Sequence, residues 1–106
     1  MLVTAWNNGQ QALSGAGYGL KIKVPSDIHK YFDRRWGTVS IELPNGQTVR
    51  ANIDKESFWN GRCRELISRD IGQWLLAEGY APWPFRKPPR FELVSLGGGH
   101  YKLSPL

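Results

Sequence analysis

The chain has 106 residues, a length that fits one domain with a real but thin core, and its apolar content is too high for disorder. Its 14 Lys and Arg against 9 Asp and Glu leave a net charge of +5, which favours polyanionic partners, nucleic acid first among them. The single cysteine, Cys63, excludes an internal disulfide and a Cys-rich zinc site, and no apolar run reaches membrane-spanning length.

Residues 1–18 carry no charged side chain and are rich in Asn, Gln, Ser and Gly. Only Leu2, Val3, Ala5 and Trp6 resemble a strand. The stretch is expected as a lead-in, flexible or pairing at a sheet edge, ahead of one β-barrel-like domain over residues 19–106. Gly15-Ala16-Gly17-Tyr18-Gly19 has the glycines of a phosphate-cradling loop, but a dinucleotide fingerprint sits between a strand and a helix, and here a strand follows. The N-terminus lacks the basic and continuous apolar regions of a secretory signal, so a cytoplasmic home is the expectation.

Leu20, Ile22 and Val24 alternate with Lys21 and Lys23, the period of a half-buried strand. Pro25 ends it, and Ser26-Asp27 is placed to cap one helical turn through Ile28, Tyr31 and Phe32. Val39, Ile41 and Leu43, then Val49, Ala51 and Ile53, alternate with polar residues around Pro44-Asn45-Gly46-Gln47. That is a hairpin, because Asn-Gly tolerates the positive φ of a tight turn. Phe58-Trp59-Asn60-Gly61 reads as a loop and Cys63 to Ile67 as a short strand. Ser68 then caps a helix of about ten residues, with Ile71, Trp74 and Leu75 on one face and Gly79 as its stop. Pro82, Pro84, Pro88 and Pro89 make a stiff connector. Phe91 and Leu93, a turn at Gly97-Gly98-Gly99, and Tyr101 and Leu103 form a closing hairpin.

This order contains no βαβ alternation and no internal repeat. It predicts a mainly β (α+β) domain, a small open β-barrel or pseudobarrel of about six or seven short strands with one main α-helix near residues 69–78.

The run Leu20-Lys21-Ile22-Lys23-Val24-Pro25-Ser26-Asp27, the hairpin, Ser68 to Glu78, Phe91-Glu92-Leu93-Val94 and Tyr101-Lys102-Leu103 together resemble the B3-type DNA-binding pseudobarrel. That fold serves plant transcription factors and the recognition domains of some bacterial restriction endonucleases. The resemblance covers roughly residues 19–103 as a pattern of elements, without the invariant motifs of the plant branch. It implies two arms clasping the major groove of double-stranded DNA, Lys23 through Arg35 and Lys55 through Arg64.

The residues point to the same two loops without it. Lys30, Arg34 and Arg35 cluster in one, and Lys55, Asn60, Arg62 and Arg64 in the other, while Lys23 enters as the start of the first arm that the resemblance implies. Arg and Asn can bind base edges bidentately, Lys mostly contacts phosphate, and Trp59 offers a stacking face for an unpaired base. The opposing consideration is that Asp27, Asp33, Glu56 and Glu65 interleave with these cations and can pair with Arg34, Lys55 or Arg62. Arg86, Lys87 and Arg90 in the connector read as solubility charges. Trp36 and Trp74 read as core.

The expected function is therefore non-catalytic binding of nucleic acid, DNA before RNA. The rival is a protein-interaction module or homodimer using a patch of Trp59, Trp83 and Phe85 beside the prolines. An enzyme would need Cys63 paired with His29 or His100, and nothing in the sequence brings either histidine to the thiol. No catalytic residue, cofactor, metal site or membrane partner is expected.

Overall fold

Alternating side chains give each strand one apolar face, and those faces can be buried only if the sheet curls round them. The computed structural model, which describes residues 1–106, solves the problem in this way. Seven strands form one sheet: β1 Leu2–Asn7, β2 Tyr18–Ile22, β3 Thr38–Glu42, β4 Thr48–Asn52, β5 Glu65–Ile67, β6 Arg90–Gly97 and β7 His100–Pro105. Their order across the sheet is β4-β3-β7-β6-β1-β2-β5. Every neighbouring pair is antiparallel except β3 and β7. The outer strands β4 and β5 come together, so the sheet curls into an open barrel. Val3, Leu20, Ile22, Ile41, Leu66, Phe91, Leu93 and Tyr101 fill its interior. The mainly β barrel with one main helix stands as expected.

The hairpin over Val39–Ile53 is present, with a longer turn than a two-residue Asn-Gly loop. The Gly46 amide donates to Leu43 O across Pro44 and Asn45, and only Gly46 takes positive φ, at 88°. The amide of Leu43 then donates to Gln47 O. This is a type I turn followed by a left-handed glycine, one of the next commonest hairpin connections after the two-residue loops.

The main helix, α3, runs Arg69–Ala77, with the Ser68 side chain accepting from the Asp70 amide. Its buried stripe of Ile71, Trp74 and Leu75 packs on the barrel. Gly72 lies so close to the 8–17 loop that a Cβ there would meet the Gly15 carbonyl oxygen at 2.1 Å.

Three expectations need correction. Residues 2–7 are no edge strand, because β1 pairs with β2 on one side and β6 on the other. Their composition hid this, for Val3 and Ala5 are enough to fill the inner face while Asn and Gly belong to the loop that follows. Phe58-Trp59 is not loop but part of a short helix, α2, Glu56–Trp59, preceded along the chain by α1, Asp27–Tyr31. Four residues are too few to show a helical period. Trp36, expected in the core, is half-buried on a 3₁₀ turn at Arg34–Trp36, where it covers Gly99.

No helix is long and apolar enough to cross a membrane.

Candidate nucleic-acid interface

Both loops singled out by their cations are anchored to the same end of the barrel by rings. Phe32, just past α1, stacks on Tyr101 with centroids 4.9 Å apart and meets Phe58 of α2 edge-on at 5.4 Å. The Tyr101 hydroxyl, buried and pushed well above the ordinary phenol range by loss of water, donates to Tyr31 O. These contacts fix α1 and α2 side by side, and the two loops share one surface.

Between them lies a cleft of about 280 Å³ lined by Pro25, Ser26, Ile28, His29, Trp59, Asn60 and Gly61. Trp59 is half-buried. Its indole Nε1 donates to Ile53 O at 2.8 Å, its edge rests on Phe58, and its ring lies 5.7 Å from His29. The Asn60 side chain accepts from the Arg62 amide at 2.9 Å, which fixes the turn after α2.

The cations divide into two groups. Arg35 is closed onto its neighbour Asp33, Nε to Oδ1 at 3.1 Å and Nη2 to Oδ2 at 2.6 Å. That guanidinium holds the Asp33 carboxyl down at about 2. Arg34 Nη2 reaches across to Glu56 Oε2 at 2.7 Å and ties the two loops together. Lys55 turns inward, its Nζ donating to Glu65 O at 3.2 Å and lying 3.7 Å from Cys63 Sγ. The remaining group is Lys23, Lys30, Arg62 and Arg64. The first three are exposed, Lys30 with its ammonium over the Tyr31 ring. Arg64 is half-buried, and its carbonyl accepts from the Ile22 amide.

Each sequence candidate therefore has a place. Trp59 and Asn60 line the cleft, Lys30 and Arg62 directly follow residues that line it, and Lys23 and Arg64 lie two and three residues from its nearest lining residues. Arg34 and Arg35 lie in the same loop but carry carboxylate partners. The expected pairing of acids with bases holds for Asp33 and Glu56, whereas Lys55 binds the Glu65 carbonyl and not its carboxylate. Ser26 and His29 belong to the cleft, although the sequence offered Ser26 only as a helix cap and His29 only as a remote partner for Cys63. Their shared signal is spacing, since i and i+3 fall on one side of a helical turn.

Trp83 belongs to another cluster, edge-on to Tyr18 and bonded through its backbone to Gln11. Phe85 is 85% exposed, with the Arg86 guanidinium over its ring. His100 lines a separate cavity with Glu42 and Leu96, and Cys63 has Lys55 as its polar neighbour. No protein-family model, curated protein or solved structure matches the chain.

Proposed function

We propose that the chain is a non-catalytic module that grips double-stranded DNA between its α1 and α2 loops, as the resemblance to B3-type pseudobarrels implies. The observation that supports this reading is the meeting of the two basic loops at one cleft, with Lys23, Lys30, Arg62 and Arg64 of those loops left without carboxylate partners. In this reading those four residues contact phosphate and set the position of the duplex, while base edges meet the cleft itself. Arg35 and Lys55 contribute little, because one is neutralised by Asp33 and the other is spent inside the fold.

The test is a titration of duplex DNA at rising salt. Four neutralised phosphates predict a log–log slope of about −3.6. Replacing Lys23 or Lys30 by Ala should lower the slope by about one each and weaken all sequences alike. Binding that is absent at low salt, or flat with salt, overturns the reading. The same titration with single-stranded and duplex RNA as competitors decides between nucleic acids.

The rival, a protein-binding or self-associating module, draws on Phe85, the exposed member of the expected patch, since Trp59 and Trp83 are half-buried. A stable dimer in solution that dissociates on Phe85→Ser would favour it.

A further inference from the structure

The cleft between α1 and α2 has an unusual division of labour. Its cations stand at its borders in the chain, and no Lys or Arg lines it. A free anion entering it would therefore leave water without gaining a charge partner. What the lining offers instead is one fixed aromatic ring, two apolar side chains and a few polar groups.

The ring is Trp59, whose plane is set by the bond to Ile53 O and the edge contact with Phe58. Pro25 and Ile28 supply the apolar wall. The polar groups are unspent by the fold. Ser26 heads α1 without capping it through its hydroxyl. His29 is exposed and held by its contact with Trp59. Asn60 uses its oxygen on the Arg62 amide, which leaves its amide donors over. At about 280 Å³ the space falls just below the range of roughly 300–1,000 Å³ usual for drug-sized ligands. It suits one flat heterocycle.

We propose that the cleft receives a single nucleobase displaced from the duplex, stacked against Trp59 and read along its edge by Ser26, His29 and Asn60. The inference rests on the DNA-binding reading above. In this proposal the cations of the two loops hold the backbone while the neutral base enters, and stacking tolerates any base because each has a π-face. The polar edge then supplies choice among bases.

The experiment compares wild-type affinity at low salt for a fully paired duplex and for the same duplex carrying one unpaired base. The unpaired base has already met the cost of leaving the stack, so it should bind at least about tenfold more tightly. Ser26→Ala with His29→Ala, both exposed and outside the core, should bring that ratio towards one. Trp59→Phe keeps an aromatic face and should retain the preference, and Trp59→Leu should lose it. A wild-type ratio near one, or a ratio unchanged in the Ser26/His29 variant, overturns the base subsite while salt-dependent duplex binding stands. Failure to bind either duplex overturns the clasp and the subsite together.

Discussion

A side chain's charge counts for a partner only after its own neighbours have been served. Arg34 and Arg35 look like the strongest candidates in the sequence, two adjacent guanidiniums in one loop. Folded, each meets a carboxylate, and the less conspicuous Lys23 and Lys30 are the ones left over. The sequence showed which acids interleave with which bases, but not that the Asp33 side chain would start a 3₁₀ turn by accepting from the Arg35 amide. That backbone bond is what brings Arg35 back onto Asp33. The Asp33 carboxyl should titrate near 2 by NMR, and Arg35→Ala should return it towards its ordinary 3.8. The sign follows from the lowered value. The pair's contribution is complete above the ordinary value and fades as pH falls through about 2. Because Arg35 is exposed and Asp33 is only partly covered, the shift should be visible in the titration with little effect on the melting temperature.

At the scale of elements, strong local patterns were legible and weak ones were not. The Val39–Ile53 hairpin joins period-2 alternation to a Pro-Asn-Gly turn, and α3 joins a serine cap to an apolar stripe and a glycine stop. Each carries its instructions within about fifteen residues. α2 is too short to show a period, and β1 showed the residues of a strand but not its place between β2 and β6, which depends on partners distant in sequence. The cleft was invisible for the same reason, since it exists only where α1 and α2 meet.

The seating of α3 offers a test in which two effects oppose each other. Alanine in place of Gly72 should favour the helix by about 1 kcal/mol. Its Cβ would, however, press on the Gly15 carbonyl, a backbone atom with little room to yield, given that Gly15 itself would admit no Cβ against Arg69 O and Gln73 N. Overpacking of that kind costs roughly 1–3 kcal/mol, so Gly72→Ala should destabilise the protein on balance, measured by urea denaturation.

For the whole molecule, the open seam of the barrel is where β4 and β5 face each other without pairing into the sheet. Lys55, which follows β4, reaches the carbonyl of Glu65 at the start of β5 and spans that gap. In the sequence it is one more loop cation. In the structure it is a bolt across the barrel's opening. Lys55→Ala should lower global stability by about 1–2 kcal/mol, because the Glu65 oxygen loses a charged donor. It should leave the salt slope of DNA binding where it was. A lower slope with unaltered stability would return Lys55 to the phosphate contacts.

The position of β1 also decides when the barrel can exist. Leu2 pairs with Glu92 and Val3 with Phe91, so the middle of the sheet joins the two ends of a long excursion. The β3–β4 hairpin closes a short loop and can form early, yet its one pairing with the rest of the sheet is to β7, the last strand. A chain emerging from a ribosome could pair its first strand with β2 early, but would hold the other edge of β1 unmatched until β6 had followed. Contact order, and with it a slow search for the final topology, is written into the strand sequence β4-β3-β7-β6-β1-β2-β5.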